Sequence, residues 1–533
     1  MKKLLNIFKN VIGIFALILV SCTDLSERPY NVLIEDDLGS DIQTLNALTA
    51  PVYTRLTDVL YGWHGYFDLT EESSDAIVTP ARPNGWVDGG TYRNLHMHTW
   101  NAFQSQPNGL WNRVYGALNV LNNGLLNYSR LEGPEIVALI SELRALRALY
   151  YYLLMDAFGN VPIVTEADLA NIGTLPTQSS RRQVFDFIEK ELLEVMPIIS
   201  ETKVYGKMNK WAAKMILAKI YLNAEVYIGQ AKYQEALAQV DDIINSGLYQ
   251  LEPNYHNNFI TQNQGSREQI FSVIFDTTRA GWFHYHWKTL HPASSATYNL
   301  GSAPWGGSGA IPQFVDTYEE GDDRFNIWIR GPQFSSSGQP IFNSMDPSIR
   351  DVQLNYQNFM GSIDGTREYE GYRVGKYEIA IGTVGPLSND VPLFRYADAL
   401  MIKAECLLRT GNAAQAAQIV TEVRTRAFDN PQDAVVTADE LTSGSRYQYG
   451  NYQSGVITDL EGGADIPFGR FLDELGYEFA AEFHRRQDLI RFGVYTRKSW
   501  FSHRPNGDHR TIFPIPQSAI EANPNLTQNP GYN

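Results

Sequence analysis

Two tryptophans in this chain sit where no helical or strand pattern asks for an apolar side chain. Trp86 lies in the loop 75–92 with Gly85, Gly89 and Gly90 around it, and Trp305 lies in Pro304-Trp305-Gly306-Gly307-Ser308-Gly309. A flat indole among glycines suits a sugar ring, which offers an apolar C–H face for stacking and a rim of hydroxyls. Those hydroxyls need carboxylate, amide or guanidinium partners. The first loop supplies Asp75, Arg82, Asn84, Asp88 and Tyr92 beside Trp86, and Tyr298 shortly precedes Trp305. Asp75, Arg82, Trp86, Tyr92, Tyr298 and Trp305 are therefore the expected ligand contacts, with Arg373 as a further guanidinium for an acidic or hydroxyl-rich ligand. A third aromatic group, Trp282, Tyr285 and Trp287, reads either as a groove wall or as a packed edge strand, the strand being favoured.

Catalytic patterns are poor by comparison. His96/His98 and His284/His286 have a two-residue spacing that a metal on a strand can use, but no His-Glu-x-x-His or Cys-x-x-Cys accompanies them, so they read as structural. Ser308 lacks the flanking spacing of a nucleophile elbow. A glycosidase pair is defined by a carboxylate separation of about 5 or 6.5–9.5 Å, which is a property of the fold and not of the sequence. The acidic stretch Glu319 to Asp323 lacks the twelve-residue pattern of a calcium loop. A structural calcium is the one cofactor it admits, and the chain reads as a binding protein without catalytic or metal residues.

These loops need a carrier and an address. Lys2, Lys3 and Lys9 precede an apolar run from Val11 to Val20 that is too short to span a bilayer and has the layout of a secretory signal. The run ends in Leu19-Val20-Ser21-Cys22, a lipobox-like sequence that makes Cys22 the lipidated first residue of the mature chain. Two or more acyl chains hold a protein durably on a membrane without crossing it. The formal net charge of −16 argues against nucleic acid or an anionic membrane face as partner. Only Cys406 remains after Cys22, so no disulfide framework exists and Cys406 reads as a buried thiol. Aromatic residues make up 12% of the chain, with 30 Tyr and 10 Trp, enough for sugar platforms and for large helical cores alike. Trp111 and Trp211 fall on helical apolar faces and read as core.

The elements that carry the loops read as helices. Residues 22–40 form a polar tether, and helical spacing begins over 41–60. Trp111, Tyr115, Leu118, Leu121 and Leu125 mark a second helix, and 135–158 a third that is apolar on several faces and stops at Gly159-Asn160-Val161-Pro162. Leu400, Ala404, Leu407, Ala416, Val420 and Val423 fall at the spacings of a tetratricopeptide helix pair. A second copy spans 211–245 if six extra residues are allowed at the turn 227–232. From 263 to 389 the chain is rich in Gly, Ser, Asn, Pro and aromatics, with one β-like run at Ile270 to Phe275. The expected fold is mainly α: a tetratricopeptide-like helical hairpin scaffold with long irregular aromatic-rich loops and a little β. Its parts are a signal 1–21, the tether 22–40, a helical region 41–262 and a loop-bearing region 263–533.

Several segments resemble the SusD/RagB family of Bacteroidetes outer-membrane lipoproteins. They include Trp111-Asn112-Arg113-Val114-Tyr115, the run from Glu142 to Tyr151 ending in Phe158-Gly159-Asn160-Val161-Pro162, and Ala218-Lys219-Ile220-Tyr221-Leu222. Further on come Pro392 to Ala399, Glu482 to Gly493, Phe513-Pro514-Ile515-Pro516, and Asn523 to Leu526 with Gln528 to Tyr532. The resemblance implies a tetratricopeptide-like body at the cell surface, anchored in the outer membrane and facing outside. It also implies glycan binding without catalysis, and a partnership with a SusC-like TonB-dependent transporter over which the lipoprotein closes as a lid. A glycoside hydrolase, a lid for peptide and a purely structural subunit are the alternatives. Gln487 stands in Arg485-Arg486-Gln487-Asp488 where the family often has an aromatic, which puts the packing of that helix in question.

Overall fold

The computed structural model describes residues 42–170, 173–276 and 281–532. The signal-like run, Cys22 and the tether lie outside the described residues. Contacts divide the chain into Met1–Asn46 and Ala47–Asn533, and the second unit is the subject below.

Helices dominate this unit and strands occur only as short pairs. The first helices are α1 (Ile42–Tyr61) and α2 (Tyr66–Glu71), followed by α3 (Ser105–Tyr128) and α4 (Pro134–Phe158). Pro134 starts α4 behind Gly133, and Gly159 ends it at φ 70°, a left-handed turn that a side chain would strain. From Leu143 to Phe158 every α4 residue except Arg144 is buried. Its neighbours are α3, α5 (Arg181–Val195) and α6 (Lys210–Leu222), which explains an apolar surface that follows no single face. Truncating Leu149, fully buried there, would cost about 2–5 kcal/mol.

The two hairpins read from the sequence are present. One is α6 with α7 (Tyr233–Asn245), the other α8 (Tyr396–Arg409) with α9 (Ala413–Thr425), and α7 packs on α8 to join them. Ala218, Ala236, Ala404 and Ala416 are fully buried, so small side chains do allow the helices to approach. The extra residues in the first hairpin include a one-turn helix, Ala224–Ile228. Cys406 is buried in α8. Trp111 is core, whereas Trp211 at the start of α6 is half-buried and donates its indole N–H to Glu201 O.

The segment after α10 (Gly469–Phe479) clamps distant parts together through α11 (Arg485–Arg491). Arg485 makes a two-pronged pair with Asp75 at 2.6 and 2.8 Å, Arg486 donates to Asp156 of α4 at 2.8 Å, and Arg491 meets Glu405 of α8 at 2.6 and 2.7 Å. Gln487, buried where an aromatic was expected, is satisfied by hydrogen bonds with the Tyr66 and Tyr152 hydroxyls. Its amide takes the place of ring packing, and the helix is intact.

In the middle of the chain β2 (Gln269–Val273) pairs antiparallel with β4 (Val391–Arg395), close to the β-like run read from the sequence. Of more consequence for the site, β1 (Ile77–Val78) pairs with β3 (Gly309–Ala310), placing Ile77 opposite Ala310 and Val78 opposite Gly309. This pairing brings the Trp86 loop and the Trp305 loop to one edge.

Candidate functional site

Four segments deliver aromatic rings to that edge. Between α1 and α2 the turn Gly62-Trp63-His64-Gly65 is tight: Gly62 N donates to Asp58 O at 2.9 Å, Gly65 N to Gly62 O at 2.7 Å, and His64 sits at φ 63°. His64 N donates to Asp68 Oδ2 at 3.0 Å, which satisfies one of the open donors ahead of α2 and leaves Trp63 half-buried. In the Trp86 loop, Arg82 N donates to Trp86 O at 2.8 Å and Gly85 N to Arg82 O at 2.9 Å, with Asn84 left-handed between them. Trp282 precedes a one-turn helix, Tyr285–Thr289, that carries Trp287. The Trp305 run lies against this helix, with Trp305 N donating to Trp287 O at 2.7 Å, Gly306 N to Leu290 O at 2.8 Å and Gly307 N to Lys288 O at 2.7 Å. A side chain at Gly307 would stand 2.9 Å from Lys288 O and 3.1 Å from the Trp86 ring, so only glycine admits both neighbours.

The result is a continuous aromatic surface. Trp63 touches Trp86 and Trp305 at ring-centre distances of 5.6 Å each, and Trp86 lies 6.3 Å from Trp305. Trp282 and Trp287 approach Trp305 at 6.3 and 5.8 Å. Trp282 is 49% exposed, Trp63, Trp86 and Trp305 are half-buried, and Trp287 is buried behind them. Trp287 belongs to a short helix and Trp282 to irregular chain beside Phe283, whose isolated antiparallel bridge to Leu387 is all there is of the edge strand favoured from the sequence. At the rim, Arg113 pairs with Asp58 at 3.0 Å and reaches toward the His64 carbonyl at 3.4 Å, placing a partly exposed guanidinium beside Trp63.

A layer of buried charge supports the surface. Lys288 Nζ donates to Asp68 Oδ1 and Glu72 Oε1, both at 2.7 Å, and stands 3.9 Å from the centre of the Tyr92 ring. The Tyr92 hydroxyl donates to Asp68 Oδ2 at 2.7 Å, and Ser308 Oγ and Thr79 Oγ1 reach Glu72 Oε1 at 2.8 and 2.9 Å. Burial would push the Lys288 ammonium down, but the Asp68 and Glu72 carboxylates outweigh it and hold it above its ordinary value. Burial lowers the pKa of His64 and His284, which keeps both rings uncharged at neutral pH.

The expected contacts divide sharply. Trp86 and Trp305 come together in the cluster, and Tyr92 forms part of its floor with its hydroxyl held by Asp68. Asp75, Arg82 and Arg373 are fully buried, a correction to their expected exposure. Asp75 is gripped by Arg485 and accepts the Tyr449 hydroxyl at 2.8 Å. Arg82 donates to the carbonyls of Gly307, Arg367 and Glu370, and Arg373 to those of Glu368, Glu370 and Gly371. They fasten the loops and do not face a ligand. Tyr298 is half-buried at the end of the four-residue helix Ser295–Tyr298 and makes no ring contact with the cluster among the described residues. Sequence reasoning missed Trp63, although Gly62 and Gly65 flank it much as glycines flank Trp86. It also missed Arg113, for which the sequence carries no signal.

The histidines at 96 and 98 make structural contacts. His96 and His98 are buried against the carbonyls of Phe501 and Ser73, and no group of three or more metal-ligating side chains occurs among the described residues. Ser308 faces Glu72 and no histidine base. In the acidic stretch, Glu319 is engaged by Arg424 and Arg446, each at 2.7 Å, and Asp322 by Arg324 at 2.6 Å.

Comparison with known proteins matches the chain twice. Residues 229–532 match the family model described as SusD family, and residues 46–222 match one described as starch-binding associating with outer membrane. The starch-binding protein SusD of Bacteroides thetaiotaomicron is 24% identical over 84% of this chain and 82% of its own length. A SusD superfamily protein from Parabacteroides distasonis superposes with a TM-score of 0.70 at 20% identity, covering 92% of this chain and 99% of its own. Surface glycan-binding protein A of Bacteroides thetaiotaomicron, solved in complex with laminarihexaose, gives 0.68 at 18% identity with the same coverages. At these identities the superpositions establish the fold.

Proposed function

Because the chain belongs to the SusD family, we propose that it captures oligosaccharide at the outer membrane by stacking sugar rings on Trp63, Trp86, Trp282 and Trp305. The observation that carries this reading is the convergence of tryptophans from four separate segments onto one partly exposed surface. Buried side chains of this kind are normally enclosed, and a contiguous exposed apolar patch marks a binding site. The starch and laminarihexaose named for two relatives are ligands of the chemistry such a surface accepts. Stacking plus a few hydrogen bonds to hydroxyls gives modest affinity, on the order of micromolar to millimolar. Titration of the full chain in detergent with α- and β-glucan oligosaccharides tests it, and silence across the panel would count against it.

The site binds and does not cut. Asp68 and Glu72, the carboxylates in the layer under the tryptophans, are buried and held by Lys288, an arrangement unsuited to delivering or removing a substrate proton. Long incubation with a bound glycan should release no product. The protein is held at the membrane through acylated Cys22, and no helix among the described residues is long and apolar enough to cross a bilayer. Cys22→Ala should abolish labelling by a fatty-acid analogue, and persistent labelling would refute the anchor. Glycan passes to a TonB-dependent transporter that this chain covers. A stable lid buries more than roughly 1,000 Å², so the two should co-purify in mild detergent.

A further inference from the structure

One polar ring sits among the tryptophans. His284 directly precedes the one-turn helix Tyr285–Thr289, and its ring centre lies 4.9 Å from that of Trp282, 5.4 Å from Trp63 and 5.8 Å from Trp305, with tilts of 35°, 34° and 39°. Only 6% of the residue is exposed. Its two nitrogens differ. Nδ1 stands 3.0 Å from the Trp282 carbonyl oxygen, and because a carbonyl can only accept, Nδ1 carries the proton. Nε2 makes no hydrogen bond among the described residues. Nor is it sealed in, unlike the ring nitrogens of His286 two residues on, which are both buried without a partner.

The charges around this ring leave it neutral. Burial lowers its pKa first, Lys288 and Arg113 lower it further, and Asp68 opposes them while itself held by Lys288 and the Tyr92 hydroxyl. Asp58 pairs with Arg113 at the rim. His286, the other titratable ring beside it, is pushed down to about 3 by burial. A neutral imidazole with its proton on Nδ1 presents a bare lone pair at Nε2, which a hydroxyl can meet by donating. A carboxylate or a sulfate ester only accepts, and would set lone pair against lone pair.

We propose that His284 sets the specificity of the tryptophan surface: its Nε2 accepts a hydrogen bond from a free hydroxyl of the stacked sugar, so the site takes neutral, hydroxyl-bearing glycans. The proposal rests on that surface being the glycan site. Acid works against it. Protonation replaces the lone pair with an N–H, and a stacked sugar strips the imidazolium of its remaining water, so affinity falls as pH drops from neutral through the lowered pKa. The test is calorimetric titration of the full chain in detergent with the α- and β-glucan oligosaccharides, from about pH 7 to about pH 4.5, with thermal melts at each pH. His284→Phe keeps a ring among the tryptophans without the acceptor, and should weaken binding at neutral pH by about three- to tenfold, the scale of one neutral hydrogen bond. His284→Gln offers an amide oxygen that accepts and does not titrate, and should recover part of that loss. Wild-type affinity should decline with acid while both variants stay level. For a glycan that wild type binds, undiminished affinity in His284→Phe would overturn the proposal. A level wild-type profile would do the same, as would an acid decline that persists in His284→Gln, which would belong to His64. Silence of wild type toward every oligosaccharide would strike the tryptophan reading itself, and this proposal with it.

Discussion

The tryptophan surface and the arginine clamp around α11 treat the same physical problem in opposite ways. At the clamp, Arg485, Arg486 and Arg491 are buried and each is met by a carboxylate, so charge is taken out of water and matched group by group. At the surface, large apolar rings are left partly in water, with their neighbouring histidines uncharged, the charges of Lys288, Asp68 and Glu72 sealed below and the Arg113–Asp58 pair at the rim. The clamp ties helices that are far apart in sequence, and its worth lies in never opening. The surface holds unsatisfied apolar area that a ligand can cover. Lys288 joins the two regimes, since one face of Tyr92 meets its ammonium while the same ring contacts Trp63 and Trp86.

The comparison breaks most violently at the clamp. Arg485→Ala leaves Asp75 charged and unpaired in the interior, a loss of about 3–5 kcal/mol that denaturant titration should show as a large fall in the unfolding midpoint. Ligand binding would fail with it. Glu71, buried in α2 against the backbone around Ala481, sharpens the contrast because it makes no ion pair among the described residues. Burial pushes its carboxyl up to about 8, against the opposing backbone N–H groups of Ala481, Arg485 and Phe483. The folded chain keeps this proton between the ordinary value of 4.5 and about 8 while the unfolded chain loses it, so stability falls as pH rises through that window. Glu71→Gln should flatten that decline and raise the unfolding free energy at neutral pH by up to a few kcal/mol, at roughly 1.4 kcal/mol per unit. A decline just as steep in the variant would show that the proton sits elsewhere. The smallest structural effect belongs to Trp282→Ala, which removes the most exposed ring. It should shift the melting temperature by no more than a surface change of about 0.5 kcal/mol while still weakening glycan binding.

The same contrast explains what could be read from the chain. Helices and hairpins were legible because helical spacing and small residues such as Ala218 and Ala404 are written directly in sequence. The α11 motif was legible as a resemblance, yet Asp75 was read as a ligand contact when it is the partner of Arg485. Nothing in a glycine-rich loop distinguishes an acid that faces water from one that meets an arginine 410 positions away. Arg82 and Arg373 were misplaced for the same reason: their acceptors are backbone carbonyls, which have no sequence signature. Trp86 and Trp305 stood out because glycines surround them, and the same sign at Trp63 went unread because the turn follows directly on a helix. The pairing of Ile77 with Ala310, which brings the loops together, spans too much chain for any local pattern to announce.

The central claim is that partly exposed tryptophans, and not the buried polar residues beside them, hold the ligand. Calorimetric titration of wild type and Trp305→Ala with a panel of oligosaccharides tests it most directly, with thermal melts run on both. Trp305 touches four other rings of the cluster's tryptophans, so its truncation should cost roughly 2 kcal/mol of binding, about a thirtyfold loss, while the fold survives. Unchanged affinity in Trp305→Ala, for an oligosaccharide that wild type binds, would contradict the claim.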